Sequence, residues 1–405
     1  MVPTEGTPFV VFGDDWDRHP STIQHTFRHI ATRYPVIWVN GIGHAVPRLS
    51  ARHVRRAFEK LGQLVRSSSA PAPAPHAVLG GGVPASIIYP RVLPWHHIGF
   101  VHASNTRWLV RAIKERLAAL GLTKPPILVT GSPPSDGVVG SLGELASVYY
   151  VLDDFLAFPS YTASMLGPLE KTLLDKIDMV VGTAASLTKT KFPRSGRSYH
   201  LPQGVNYEHF AERRAEPADL ANLPRPIIGF AGGLARACDL PLLGRIADAF
   251  PDASIVLIGP NALDENELAQ FRRPNVHLLG SRPYIDLPGY VQHFDVGIIP
   301  YAISQWTVAV DPLKLLEYLA AGLPVVTTAI PEAYKYESHV AVAPTHEDFI
   351  NAIRAALTVN RDAVRERGQA LAREHTWERR ADTFLSLVGG VIADKGLMSP
   401  AAKRA

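Results

Sequence analysis

The chain has 405 residues, 46% of them hydrophobic and 19% charged, which is enough for two ordinary domains with real cores. Its 41 basic and 37 acidic residues leave a net charge of +4, too mild an excess to argue for nucleic acid, and the single cysteine, Cys238, excludes a disulfide framework. No apolar run approaches the length of a membrane span, and Met1-Val2-Pro3-Thr4-Glu5 lacks the basic-then-apolar order of a signal peptide, so a cytoplasmic protein is expected.

In chain order, residues 9–12 form a short apolar strand that ends at Gly13-Asp14-Asp15-Trp16, and 21–32 reads as a helix. Residues 36–39 are the next strand, ended by Asn40-Gly41. Between Arg48 and Arg66, the basic residues Arg52, His53, Arg55, Arg56 and Lys60 interleave at helical spacing with Leu49, Val54, Phe58, Leu61, Leu64 and Val65. This segment reads either as a packed helix with a solvated basic face or as one resting on an anionic leaflet. The Ser/Pro/Ala-rich stretch 67–77 marks a mobile surface loop. Apolar segments at 127–129, 147–152 and 179–181 then alternate with helical patterns at 105–120 and 167–177, as a parallel sheet covered on both faces requires.

After Leu201-Pro202-Gln203-Gly204-Val205-Asn206 the alternation restarts, with strands expected at 227–231, 254–259, 276–279, 296–299 and 325–328 and helices at 240–250, 261–271, 287–293 and 312–321. Two Rossmann-like α/β domains in series, 1–205 and 206–376, are the simplest arrangement. Pro217, Pro224 and Pro226 break regular structure near the boundary. Helical segments at 345–358 and 362–374 precede a last helix at 377–390 and a loose tail at 391–405.

The most specific stretch runs from Asp311 to Thr328. Asp311 suits a helix N-cap and Pro312 the first helical position; Gly322 then stops the helix and Pro324 starts a buried strand. A helix N-terminus presents free N–H groups and partial positive charge, so it can seat an anion, and Lys314 reinforces it. Glu317, one turn on, can accept two hydroxyl hydrogen bonds of the kind a ribose offers.

The whole string resembles the sugar-donor segment of GT-B glycosyltransferases of the glycosyltransferase 4 type, of the teichuronic-acid and cell-surface polysaccharide kind. That resemblance implies an α/β GT-B architecture, two Rossmann-like domains with parallel sheets facing across a cleft, the last helix crossing back to the first domain. It implies a nucleotide sugar on the second domain, with Glu317 on its ribose, the Asp311-Pro312-Leu313-Lys314-Leu315 turn at its diphosphate and no metal or cofactor. The chain departs from the common pattern at Ala309, where many members carry a second Glu, a variation shared by the subgroup with Asn/Asp-Pro-x-Lys-x-x-Glu. In Gly232-Gly233-Leu234-Ala235-Arg236, Gly233 stands where many members have a phosphate-binding Arg, leaving Arg236 and Lys314 as the nearby cations.

Residues just after each strand complete the candidates, since open parallel sheets bind ligands there. Gly232 and Gly233 let backbone approach a phosphate, or form an ordinary tight turn. Tyr301 and Thr307 lie on the loop leading to the 312–321 helix, in reach of donor sugar or phosphates. Asp153 and Asp154, at the end of Tyr149-Tyr150-Val151-Leu152, supply a general base for an acceptor hydroxyl, or one caps the next segment while the other is solvated. Likeness to the xanthan-type glucuronosyltransferase favours Asp153. Asp15, Trp16, His19 and Gln24 form a polar and aromatic cluster that would face the acceptor.

The function expected is transfer of a hexose from a UDP- or GDP-linked sugar to a saccharide, lipid-linked acceptors included, at the inner face of the plasma membrane. Its rivals are a non-catalytic scaffold that binds nucleotide sugar and a nucleotide-sugar 2-epimerase.

Overall fold

The ten apolar runs become ten of the thirteen parallel strands among the described residues, because an α/β chain that covers both faces of a sheet needs strands with no polar side. The computed structural model describes residues 2–16, 20–43, 81–157 and 163–396. The basic segment 48–66, the loop 67–77 and His19 lie outside the described residues. The chain divides into two compact units, Met1–Pro202 with Arg380–Ala405, and Gln203–Arg379.

The first unit holds β1 (Phe9–Phe12), β2 (Val36–Val39), β3 (Ser86–Ile88), β4 (Ile127–Thr130), β5 (Ala146–Val151), β6 (Met179–Gly182) and β7 (Ser198–His200), in the order β3-β2-β1-β4-β5-β6-β7. Phe9 is level with both Val36 and Ile127, so the three central strands also end level. Gly13, Asn40 and Gly131 therefore leave the sheet side by side. The ladder extends one residue past the strands, with Gly13 N–H donating to Val39 O (3.1 Å) and Gly131 N–H to Phe12 O (3.0 Å). Beneath one face of this sheet lie the helix Thr22–Ile30 and the C-terminal helix Trp377–Asp394. Phe27 meets Phe384 edge-on at 5.6 Å and Tyr150 stacks on the same ring at 5.6 Å. Such ring pairs add about 1 kcal/mol each beyond the area they bury.

Residues 391–394 were expected in a loose tail, and the structure corrects this. Val391 and Ile392 are buried, extending the stripe Ala381, Phe384, Leu385 and Val388 by another turn. An apolar stripe with a core to cover keeps its helix going.

The second unit holds β8 (Ile227–Ala231), β9 (Ser254–Ile258), β10 (Val276–Gly280), β11 (Val296–Ile299), β12 (Val325–Thr328) and β13 (Ala341–Ala343), in the order β10-β9-β8-β11-β12-β13. Strand alternation splits its core in two. Ile227, Val256, Ile258 and Ile299 face the helix Leu313–Ala321, while Ile228, Phe230, Ile255, Leu257 and Ile298 face the helices Leu240–Ala249 and His346–Ala356. The chain segments at either end of this unit are bonded to each other: Val205 N–H donates to His375 O (2.9 Å), and Gly204 lies against Trp377 with no room for a Cβ.

Two helix starts differ from expectation. The helix expected over 261–271 is Glu265–Ala269, because Asn261 Oδ1 first accepts from Leu263 N–H and a capping box of Asp264 and Glu267 then opens the helix. The helix expected from Pro312 begins at Leu313, with Pro312 itself in the capping position. Gly322 ends it in the left-handed conformation (φ 80°), as expected.

Candidate active site

The misplaced cap changes the role of Asp311. Its carboxylate is 5% exposed, accepting from Gln203 N–H (2.8 Å) and from Lys335 Nζ (2.9 Å). Burial raises its pKa, against the opposing pull of Lys335. Asp311 thus anchors the approach to the helix and offers no group to a ligand, which corrects its assignment as an N-cap and as a sugar-donor residue. Leu315 is corrected likewise: its side chain is in the core and its N–H donates to Pro312 O (3.0 Å). The N–H groups of Leu313 and Lys314 have no hydrogen-bond acceptor among the described residues.

Lys314 and Glu317 share a face of this helix. Glu317 is 7% exposed, and neither side chain has a hydrogen bond or ion pair among the described residues. Burial raises the Glu317 carboxyl, with Lys314 opposing. Lys314 is raised as well: burial lowers it, but the Tyr301 hydroxyl, Glu317 and Cys238 together outweigh that effect. A desolvated cation and carboxylate that lack protein partners are unusual in a core, because each has given up water without full compensation.

The glycines expected to approach phosphate are placed by this pair. An ideal Cβ on Gly232 falls 2.2 Å from Lys314 Cε, so only glycine fits beneath the lysine. Gly259 (φ 145°) in turn brings its Cα against Gly232 O, where a Cβ would be at 2.0 Å. Gly233 is different, since its Cβ would meet only Pro260 at 3.8 Å. Tyr301, after β11, touches Phe230 edge-on at 6.2 Å, and its hydroxyl lies within the field of Lys314.

Arg236 is turned outward to Glu267 (2.7 Å), with three-quarters of its side chain exposed. Thr307 is fully buried, and its hydroxyl accepts from Ser304 N–H (2.8 Å) and donates to Ala302 O. Its role as a sugar-donor contact is corrected, because the loop's own geometry engages the hydroxyl. Tyr284 stacks on His209 (4.8 Å), and burial together with the charge of Glu317 raises its phenol.

In the first unit, Asp154 belongs to a buried ionic network. Lys191 Nζ bonds Asp154 Oδ1 and Glu170 Oε2 at 2.8 Å each, and Tyr149 donates to Glu170 (2.8 Å). Asp154 also accepts from Leu156 N–H (3.2 Å), capping the turn Phe155–Ala157. Both Asp154 contacts belong to the fold, one to Lys191 and one to the turn it caps, so the catalytic reading of Asp154 gives way to a structural one. Asp153, half-buried beside it, remains the candidate base.

The acceptor cluster is assembled in part. Trp16 meets Trp38 edge-on at 4.7 Å, its backbone N–H donates to Asn40 Oδ1 (3.1 Å), and Gln24 Nε2 donates to Asp15 O (3.2 Å). Trp16 and Gln24 are buried, so they support the site from below, while Asp15 Oδ1 accepts from Gly41 N–H (3.2 Å). Sequence reasoning missed Arg28, which lies 4.7 Å over the Trp16 ring with only 3% of its surface exposed. Its helical spacing from Gln24 was the available signal.

Residues 225–358 match the family of glycosyl transferases group 1. Over 266 residues the chain is 29% identical to a Bacillus subtilis (strain 168) protein whose assigned name is teichuronic acid biosynthesis glycosyltransferase TuaH, covering 60% of this chain and 67% of that one. Among solved structures, Anabaena Alr3699/HepE in complex with UDP and glucose superposes with a TM-score of 0.64 at 12% identity, covering 95% of this chain and 100% of that one. The α,α-trehalose-phosphate synthase (UDP-forming) of Burkholderia vietnamiensis superposes with a TM-score of 0.64 at 14% identity, covering 96% and 100%. The architecture is therefore GT-B. The chain is a glycosyltransferase whose second unit carries the group 1 domain, similar to a protein of polysaccharide biosynthesis.

Proposed function

We propose that this enzyme transfers a sugar from a nucleotide diphosphate sugar to a hydroxyl of a saccharide acceptor in cell-surface polysaccharide synthesis. The observation that carries the reading is the Lys314–Glu317 pair: a half-buried cation and a buried carboxylate with no hydrogen-bond or ion-pair partner among the described residues, at a helix start with two unengaged N–H groups. A nucleoside diphosphate supplies what each lacks. Its ribose hydroxyls donate to Glu317, and its phosphates take Lys314 and the N–H groups of Leu313 and Lys314.

As the bond to the sugar breaks, charge gathers on the diphosphate. Lys314 and the helix N-terminus are preorganised for that charge, which is where electrostatic catalysis acts. We assign the acceptor to the first unit, with Asp153 taking its proton. On this reading the residues require no cofactor besides the co-substrate and no bound metal. The basic segment 48–66 is proposed to bind an anionic inner leaflet, on its sequence pattern alone.

The test is a thermal-shift screen of the wild type and Glu317→Ala against UDP, GDP and their common sugars. Stabilisation by one nucleoside diphosphate, equivalent to about 2.7 kcal/mol at a hundredfold excess over Kd, is expected and should vanish in the variant. A wild type that responds to no nucleotide would turn the reading toward a scaffold.

A further inference from the structure

In the first unit's sheet the strand order reverses between β1 and β4, and open α/β sheets take ligands at the carboxyl end of such a reversal. A cavity of about 30 Å³ lies at that point, lined by Gly13, Asp14, Asn40, Gly41, Gly131 and Ser132 with apolar walls from neighbouring side chains. It has room for one or two water-sized groups and is far too small for a sugar ring.

Three polar side chains line it. Ser132 is 6% exposed and its Oγ has no hydrogen-bond partner among the described residues. Asn40, 3% exposed, accepts through Oδ1 from Trp16 N–H, while its amide nitrogen makes no hydrogen bond among the described residues. Asp14 brings a carboxylate at the rim. The N–H groups of Gly13 and Gly131 are already engaged in the ladder, so these side chains define what the cavity accepts. A carboxylate repels phosphate and other anions, and a lone carboxylate beside an amide N–H is poor for a cation. A group that both donates and accepts fits all three, and an alcohol is such a group.

We infer that this notch takes one hydroxyl or hydroxymethyl group of an uncharged sugar ring in the acceptor, which donates to Asp14 and accepts from Ser132 and Asn40 while the ring stays outside. The inference rests on the assignment of the acceptor to this unit and names the specificity element within it. Crowding raises the Asp14 carboxyl, against the lowering effect of the Ser21 hydroxyl and with Asp15 adding to the rise. The glycines explain the shape. Gly13 has no space for a Cβ, which would strike Trp38 at 2.2 Å, whereas methyls at Gly131 and Gly41 would come no nearer to any neighbour than 3.5 Å, from Tyr150 O and Asp15 Oδ1 respectively.

The experiment is ligand-observed NMR on the full chain with methyl glycosides of glucose, galactose, mannose and N-acetylglucosamine and their monodeoxy analogues. Variants Asp14→Asn, Ser132→Ala and Gly131→Ala are compared, each first checked for native melting. One glycoside should bind, one deoxy position should weaken it about tenfold, and each variant should weaken the parent about tenfold while hardly affecting that deoxy analogue. Equal binding of parent and all deoxy analogues, an unchanged parent in all three variants, or no glycoside bound by the wild type each overturns the notch. A UDP and GDP titration on the same samples separates the two readings. Nucleotide binding without glycoside binding sinks the notch alone, and glycoside binding without nucleotide binding keeps the notch and sinks the sugar-donor site.

Discussion

The ε-carbon of Lys314 lies 2.2 Å from the position a Cβ on Gly232 would take. The glycine after β8 and the lysine of the following domain helix are thus one feature, although 82 positions separate them in the chain. Gly232→Ala must push the lysine stem aside, because the other neighbour, Phe230, is itself core at 2.6 Å. The variant is expected to bind nucleoside diphosphate at least tenfold more weakly, while Gly233→Ala, with only an ordinary contact to Pro260, binds normally. Isothermal titration of the two folded variants checks this, and equal affinities would dissolve the link between loop and lysine.

Glu317 ties the site to stability. Its carboxyl is raised above the ordinary 4.5 because burial disfavours the charge more than Lys314 favours it. The sign follows from linkage: an unfolded chain releases this proton more readily, so folding carries no penalty below about pH 4.5 and a growing one as pH rises through the folded pKa. Glu317→Gln removes the titration while keeping the shape. Without nucleotide, its melting temperature should exceed that of the wild type at pH 7 and the gap should narrow toward pH 4. A gap that is flat or widens in acid contradicts the burial argument. Nucleotide binding should be lost at every pH, the usual conflict between a functional charge and a stable core.

Most of the fold was legible because buried parallel strands are continuous apolar runs, as at Phe9–Phe12 and Val325–Thr328. The three strands the sequence did not show, Ser86–Ile88, Ser198–His200 and Ala341–Ala343, are all three residues long and all lie at sheet edges. An edge strand buries less and needs no apolar signature. The site divides the same way. Lys314 and Glu317 are local to one helix turn and were readable, whereas the engagement of Asp311 by Gln203 and Lys335 depends on residues 108 positions before it and 24 after it. No pattern within a window of sequence carries that.

That engagement can be measured. Asp311→Ala leaves the Gln203 N–H without its acceptor in a buried place, and Lys335 keeps Glu332 (3.1 Å) and the face of the Tyr336 ring (5.1 Å). A loss of about 1–3 kcal/mol is expected for the orphaned donor. Urea unfolding gives the number. Asp311→Asn, which keeps an acceptor for Gln203, should recover part of the loss; equal losses for both would put the stability in the ion pair with Lys335 instead.

The neighbouring aspartates should separate by what they damage. Lys191 is 6% exposed and lies between Asp154 and Glu170, with Tyr149 donating to Glu170 behind them. Truncating the lysine leaves two carboxylates facing each other without a cation, and a broken buried pair costs about 3–5 kcal/mol. Lys191→Met should therefore lower the melting temperature by roughly 6–20 °C, at about 2–4 °C per kcal/mol for a unit of this size. Asp154→Asn should do the same more mildly, since its carboxylate is the more exposed partner and Glu170 retains the lysine. Asp153→Asn should leave melting within about 2 °C of the wild type and cut turnover by about a hundredfold or more, the range for removal of a general base. Measuring melting and single-turnover transfer on all three variants decides the matter. If Asp153→Asn keeps near-normal turnover while Asp154→Asn loses it without loss of stability, the two roles are reversed and the lysine network is part of the catalytic apparatus.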